Sequence, residues 1–129
     1  MLCKYIKANK PIIYIAGKLT DTENHLILAN IEKAYNVFIE LLRCGIYSIC
    51  PHTLTTHIID AKVDTLKGMD YEIWIEYCFS VLQRCDAVLM LDNWQDSYGA
   101  KKELSYTKKL GLPIYYSVAE LKAALQINL

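Results

Sequence analysis

Apolar residues along this chain fall into short continuous runs separated by longer segments of helical spacing. The runs lie at residues 11–16, 46–50, 87–91 and 113–116. Runs of this length are typical of strands that are buried on both faces of a sheet. Between them, apolar residues recur every three or four positions, which predicts amphipathic helices. This alternation predicts an α/β fold whose parallel strands are joined by helical crossovers.

The first two helices are predicted from capping and spacing. A Thr20-x-x-Glu23 capping box opens the first helix, and Gly45 is placed to end it. Its inward positions are predicted to be Ile27, Ile31, Ala34, Phe38, Leu41 and Leu42. The second helix is predicted over residues 70–83, with Ile73, Tyr77 and Val81 among its inward candidates.

Two further helices complete the pattern. One is predicted over residues 99–110 with Gly111 as its terminator, and Ser117-x-x-Glu120 is a cap for a last helix that ends near Gln126.

The sequence therefore predicts one domain over residues 1–129, with helices on both faces of a doubly wound sheet. We expect a Rossmann- or flavodoxin-like, mostly parallel sheet of four to five strands. Residues 52–69 show no clear period, and we expect them to cover a pocket, form part of a subunit interface, or both.

Composition narrows the classes of partner and compartment. Fourteen basic residues balance fourteen acidic ones, so no global field favours a nucleic acid polymer or a membrane as partner. The longest apolar run is too short to span a bilayer, and no signal-peptide pattern is present. The five cysteines form neither a CxxC pair nor a zinc-like spacing, which indicates reduced thiols. We expect a cytoplasmic protein that needs neither a metal nor a cofactor.

The carboxyl ends of the predicted strands are where a ligand is expected in a sheet of this kind. The strongest signal there is the segment from Ser97 to Glu103, which joins the third strand to a helix. Backbone N–H groups near Ser97, Gly99 and Ala100, together with the Ser97 hydroxyl, would form a cradle for a phosphate or carboxylate. The alternative is an ordinary N-cap at Ser97 followed by a turn glycine.

Other polar residues at the same edge are candidates for the site. Glu103 lies one turn into the helix, where its carboxylate could attack the anomeric carbon of a sugar. The alternative is an exposed glutamate paired with Lys102 or Thr107. Tyr14 and Gly17 close the first strand, and His52 follows the second; each could equally be structural. Trp74 and Trp94 could stack a base or fill the core.

Taken together, the chain resembles the nucleoside 2-deoxyribosyltransferase superfamily, including its nucleotide N-glycosidase branch and small bacterial and phage members of unassigned function. The resemblance covers nearly the whole chain, and the order and spacing of its motifs carry it. The motifs are Tyr14-Ile-Ala-Gly17, Pro51-His52, Cys85-Asp86-Ala-Val-Leu-Met-Leu91, Trp94-x-x-Ser97-x-Gly99-Ala100-x-x-Glu103 and Leu110-Gly111-x-Pro113-Ile114-Tyr115.

The resemblance implies a role for each matched residue. Glu103 corresponds to the nucleophile that takes the sugar from the base, and Tyr14 to a tyrosine beside the sugar. Ser97 and Gly99 match positions that hold a 5′-phosphate, and Gly17 matches the loop under the ligand. A homodimer or larger homo-oligomer is also implied, because sites in that superfamily usually borrow residues across an interface.

This sequence departs from the superfamily pattern at two places. The aspartate that assists protonation of the leaving base falls on Cys78, or on Tyr77 with a one-residue slip. Glu76 could substitute if the helix were shifted, and Asp70 could reach only if the register differed by two turns. Thr20 stands where nucleotide-cleaving relatives tend to have an arginine.

Three functions therefore remain open. The first is an enzyme that cleaves or transfers the N-glycosidic bond of a (deoxy)nucleoside or its 5′-monophosphate. The second is a protein that binds a nucleotide in order to sequester or sense it, and the third is a domain used mainly for protein contacts. The sequence distinguishes neither hydrolysis from transfer nor one base or sugar from another.

Overall fold

The computed structural model describes residues 10–55 and 70–125. Within these ranges a single sheet contains four parallel strands, which confirms the predicted α/β class. The strands are β1 (Ile12–Ala16), β2 (Tyr47–Ile49), β3 (Ala87–Met90) and β4 (Ile114–Tyr115). Their order in the sheet is β2-β1-β3-β4. Each strand lies inside the apolar run that predicted it and is shorter by one or two residues.

Four α-helices connect and follow these strands. They are α1 (Asn24–Arg43), α2 (Tyr71–Leu82), α3 (Tyr98–Leu110) and α4 (Val118–Ala124). Short 3₁₀ turns follow β2 at Pro51–Thr55 and β3 at Trp94–Asp96. Gly111 ends α3 in the left-handed conformation, as predicted, because only glycine adopts a φ of 71° without steric cost.

Alternate residues of each strand face the two layers of helices. On one face, Ile13 and Ile15 pack with Leu89, with Ala34 and Leu41 of α1, and with Leu121 of α4. On the other face, Tyr14 and Ala16 pack with Val88 and Met90, with Cys78 and Leu82 of α2, and with Ala100 and Leu104 of α3. Both faces of the sheet are thus covered, which is why the strands read as continuous apolar runs.

The side of the sheet on which successive strands are added changes between β1 and β3. From β1 the chain continues to β2 on one side, and it then crosses back to β3 and β4 on the other side. The loops after β1 and β3 therefore leave the sheet in opposite directions and open a crevice at its carboxyl edge, where open α/β sheets bind ligands. The Leu91 N–H donates to the Ala16 carbonyl at 2.8 Å, which extends the β1–β3 pairing to the edge of this crevice.

Some helix predictions were wrong in detail. Thr20 does not cap α1: the helix begins four residues later, and its N-cap residue Glu23 makes no side-chain capping bond. Leu42 is exposed, because the helix turns it away from the Ala34 and Leu41 stripe.

The inward face of α2 was also assigned wrongly. Ile73 and Tyr77 are 59% and 43% exposed, whereas Ile75, Cys78 and Leu82 are buried. Spacing of three to four residues fits both sets, so periodicity did not identify the inward stripe in a helix that is apolar on several sides.

The irregular segment predicted to cover a pocket falls almost entirely on residues 56–69, which lie outside the described residues. In the two described ranges, no helix is both long and apolar enough to cross a membrane.

Candidate active site

A cavity of about 210 Å³ opens at the crevice between the ends of β1 and β3. It brings together seven of the nine residues that the sequence named as candidates, since Tyr14 and Trp94 do not line it. Its described lining residues are Gly17, Leu19, Thr20, His52, Tyr71, Trp74, Ile75, Cys78, Ser97, Gly99, Ala100 and Glu103. They come from the loops after β1, β2 and β3 and from helices α2 and α3, so distant parts of the sequence meet at one place.

Glu103 lies in the wall of this cavity and is 5% exposed. The Tyr14 hydroxyl, fully buried behind it on β1, donates a hydrogen bond to Glu103 Oε2. The alternative of an exposed glutamate paired with Lys102 or Thr107 is therefore wrong. The Lys102 amine instead lies 4.5 Å from the centre of the Tyr98 ring, and the Thr107 hydroxyl donates to the backbone carbonyl of Glu103 at 2.7 Å.

Burial changes the acidity of this pair. Loss of solvation raises the pKa of the Glu103 carboxyl to about 7, although the Tyr14 hydrogen bond works in the opposite direction. Burial, together with the charge of Glu103, raises the pKa of the Tyr14 hydroxyl well above its usual value. Tyr14 therefore stays protonated as a donor while Glu103 titrates near neutrality. A carboxyl group that changes charge near neutral pH in a cleft is typical of a functional site.

The Cys78 thiol completes the buried group around Glu103. It is 4% exposed on α2, lines the cavity, and shares a side-chain hydrogen bond with Tyr14. Burial and the charge of Glu103 raise the pKa of this thiol to about 12, so it remains neutral. Cys78 thus occupies the position beside the glutamate where the resemblance predicted an aspartate.

The possible substitutes for that aspartate do not reach the cavity. Tyr77 and Glu76 are exposed on the outer side of α2. Asp70 caps the same helix by accepting a hydrogen bond from the Glu72 N–H at 3.0 Å. Neither a one-residue change of alignment nor a shift of the helix therefore brings a carboxylate to the place of Cys78. Among the described lining residues, Glu103 is the only carboxylate.

His52 reaches the cavity from the turn after β2 and is buried. Loss of solvation lowers the pKa of its imidazole to about 4, so the ring is uncharged at neutral pH. A neutral imidazole carries one donor nitrogen and one acceptor nitrogen.

The amino terminus of α3 forms the cavity wall next to Glu103. Ser97 is its N-cap, and the Ser97 Oγ accepts a hydrogen bond from the Ala100 N–H at 3.0 Å. Ser97 is therefore an N-cap, as the alternative interpretation of this segment predicted. This role is compatible with a phosphate or carboxylate bound at the same helix terminus. Helix geometry still leaves the N–H groups of Tyr98 and Gly99 without an intrahelical acceptor, at the positive end of the helix dipole.

Gly17 lines the cavity, but packing explains its lack of a side chain better than ligand approach does. A Cβ atom there would lie 2.6 Å from Leu91 Cδ1 and 2.9 Å from Leu91 Cβ, with Asn93 Oδ1 at 3.0 Å. The same Asn93 oxygen accepts a hydrogen bond from the Lys18 N–H at 3.0 Å. A side chain at Gly17 would therefore force apart the two loops that border the crevice.

Three lining residues, Leu19, Tyr71 and Ile75, were not named as site candidates from the sequence. Leu19 lines the cavity because the chain after β1 stays irregular up to Glu23, and Thr20, where nucleotide-cleaving relatives tend to have an arginine, lines it as well. Tyr71 and Ile75 join from α2, and the correct inward stripe of that helix would have revealed Ile75 and Cys78 together. Of the two tryptophans, only Trp74 lines the cavity; Trp94 packs against the core on the α2 and α3 side of the sheet.

The described residues contain no group of three or more histidine, cysteine, aspartate or glutamate side chains that could hold a metal ion. In a comparison with known protein families, residues 11–116 fit the sequence model of a family described as Domain of unknown function (DUF4406). No curated protein matches the chain.

Proposed function

The chain belongs to the DUF4406 family, whose function is unknown, and we propose that it cleaves or transfers the N-glycosidic bond of a (deoxy)nucleoside or nucleoside 5′-monophosphate. The observation that carries the proposal is the buried Glu103 carboxylate in the wall of the cavity at the carboxyl edge of the sheet, oriented by the Tyr14 hydroxyl. The resemblance to nucleoside 2-deoxyribosyltransferases supports it, because it assigns the nucleophile to this glutamate.

In the proposed reaction the ionised Glu103 attacks C1′ of the sugar. The hydrogen bond from Tyr14 holds Oε2, so the other carboxylate oxygen is the one that reaches the carbon. The bond between C1′ and the base nitrogen breaks, and a glycosyl-enzyme ester forms. Water or a second base then attacks C1′ and releases Glu103. With its pKa near 7, the carboxylate is half ionised at neutral pH, and its desolvation makes it a stronger nucleophile than one in water.

The amino terminus of α3 is proposed to hold an anionic group of the substrate, such as a 5′-phosphate. The N–H groups of Tyr98 and Gly99, which have no acceptor within the helix, and the Ser97 hydroxyl are suited to phosphate oxygens. The nearby Lys102 amine adds a positive charge outside the cavity, where it lies between the rings of Tyr98 and Tyr71.

Replacement of Ser97 by alanine is expected to have two separable effects. Loss of the N-cap bond to Ala100 should lower the free energy of unfolding by about 1 kcal/mol. Loss of a hydroxyl donor should weaken binding of 5′-monophosphates by about 0.5–3 kcal/mol, and binding of nucleosides less. Chemical denaturation measures the first effect and calorimetric titration the second. Equal losses for the phosphorylated and unphosphorylated ligands would remove Ser97 from the phosphate site.

A second candidate function is a nucleotide-binding protein without turnover, and Cys78 is the observation that favours it. A thiol with a pKa of about 12 does not protonate a departing base at neutral pH as the usual aspartate would. Such a protein would keep the cavity and sequester or sense its ligand.

We include a homo-oligomeric assembly and a cytoplasmic location in the proposal. The exposed Ile73 and Tyr77 on α2 give the outer side of that helix an apolar character, which supports a subunit contact there. The described cysteines are all free, which fits a reducing compartment. Light scattering coupled to gel filtration tests the assembly directly.

Incubation with a panel of nucleosides and nucleoside 5′-monophosphates, followed by chromatography of the released bases, tests the activity. Addition of a second free base distinguishes transfer from hydrolysis. Release of base by the wild-type protein supports the enzyme. Tight binding of a nucleotide with no release across the panel would support the binding protein instead.

A further inference from the structure

The part of the cavity wall formed by Leu19 and Trp74 suits a positively charged ring. These two side chains pack together and make that part of the cavity apolar, and Ile75 continues the apolar lining towards Gly99. The single described carboxylate of the lining, Glu103, lies in the same small space. A desolvated carboxylate and aromatic rings both attract a cation, the first by its charge and the second by the negative potential of the ring face.

Two described residues of the cavity lining, Cys78 and His52, are poor proton donors at neutral pH. The Cys78 thiol has a pKa of about 12, and the imidazole of His52, with a pKa of about 4, is already deprotonated. Glu103 has to be ionised to act as the nucleophile. A neutral purine or pyrimidine leaves as an anion unless it is protonated, so this arrangement penalises an uncharged base.

We propose that the preferred substrate is an N-glycoside whose base already carries a positive charge at the glycosidic nitrogen or in its ring, such as an N-ribosylpyridinium or an N7-alkylated purine nucleotide. This inference rests on the proposed N-glycosidase function and gives it a substrate class. When C1′–N breaks, the electron pair of that bond passes to the ring and neutralises its charge, so no acid is needed. Glu103 bonds to C1′, and water later displaces it, releasing the sugar and one proton.

Matched pairs of substrates test this directly. Oxidised and reduced nicotinamide mononucleotide differ in the charge of the ring and little in shape, as do N7-methylguanosine 5′-monophosphate and guanosine 5′-monophosphate. We expect kcat/KM for the cationic member of each pair to exceed that for the neutral member by at least about 100-fold, the lower end of what general acid catalysis contributes. Each rate is divided by the uncatalysed rate at the same pH, because cationic glycosides are intrinsically more labile.

The outcomes separate this inference from the proposed function. Cleavage of the neutral members at equal or higher corrected rates would overturn the inference and leave an N-glycosidase. Failure to cleave any member would overturn the inference, and if the wider panel of nucleosides and monophosphates also released no base, the N-glycosidase function would be overturned as well. In that event, tighter binding of the N-methylnicotinamide cation than of nicotinamide, lost in Glu103→Gln, would show that the cavity still selects cations.

The Cys78 position provides the reciprocal test. Cys78→Asp places a carboxyl group beside the leaving base and is expected to narrow the ratio between cationic and neutral substrates by at least about tenfold. Cys78→Ser, which is likewise a poor acid, should keep the ratio. Thermal unfolding of both variants separates a change in preference from misfolding, and an unchanged ratio in a folded Cys78→Asp protein would contradict the role given to this position.

Discussion

Replacement of Glu103 by glutamine is expected to reduce base release by roughly 10³- to 10⁶-fold while ligand affinity changes little. The amide keeps the shape of the side chain and can still accept the Tyr14 hydrogen bond, but it is not an anionic nucleophile. Loss of an attacking group has effects of this size on kcat. Single-turnover assays measure the loss, and titration of the ligand onto the inactive variant measures the retained affinity.

The control for this substitution is Glu32→Gln, which makes the same chemical change at an exposed position of α1. It should leave both rate and affinity unchanged. In the wild-type protein, kcat/KM should rise as pH increases through about 7, because the nucleophile must be ionised. Residual activity in Glu103→Gln within tenfold of wild type would assign the nucleophile to another group.

The stability of the protein should respond to pH through two buried groups that act in opposite directions. Glu103 has a pKa of about 7 in the folded state against 4.5 unfolded, so its contribution is fully present below pH 4.5 and is lost as pH rises through 7. His52 has a folded pKa of about 4 against 6.5 unfolded. Its contribution is present above pH 6.5 and is lost as pH falls through 4. Each amounts to about 3 kcal/mol, since one pKa unit corresponds to about 1.4 kcal/mol.

Because the two pH ranges overlap, the effects nearly cancel in the wild-type protein, and single substitutions should reveal them. Relative to wild type, Glu103→Gln is expected to gain about 3 kcal/mol in the free energy of unfolding between pH 4.5 and pH 8. His52→Gln lacks the stabilisation that His52 provides above pH 6.5. Its free energy of unfolding relative to wild type should therefore fall as pH rises. Urea denaturation at several pH values measures both, with Glu32→Gln as a control. A difference between wild type and Glu103→Gln that is independent of pH would show that Glu103 titrates normally.

The sheet and the grouping of the site residues were predictable because they depend on strong local signals. Four apolar runs, Gly111 as a helix terminator and Ser117 as an N-cap identified the elements, and all four strands lie where the runs are. Parallel strands bring their carboxyl ends to one edge, so His52, Ser97 and Glu103 could be placed together without any knowledge of their contacts.

What could not be predicted depends on contacts between distant parts of the chain. Glu103 looks like a surface residue in its own helix, and only the packing of β1 and α2 around it makes it buried. The inward stripe of α2 was misassigned because Ile73 and Ile75 are equally apolar. Only the stripe that contains Ile75 places Cys78 in the core beside Tyr14. At Gly17, the constraint comes from Leu91, which is far away in sequence.

The bond between Tyr14 and Glu103 also has a consequence for how the protein matures. Its two partners are separated by 89 positions, and the loop that their contact closes contains α1, β2 and α2. Closing so long a loop has a large entropic cost until the parallel pairing of β1 with β3 offsets it. An amino-terminal portion that emerges first from the ribosome therefore holds the tyrosine without its carboxyl partner. The reactive carboxyl group acquires its buried environment only when α3 docks, so the nascent chain holds no activated glutamate until its first three strands have been synthesised.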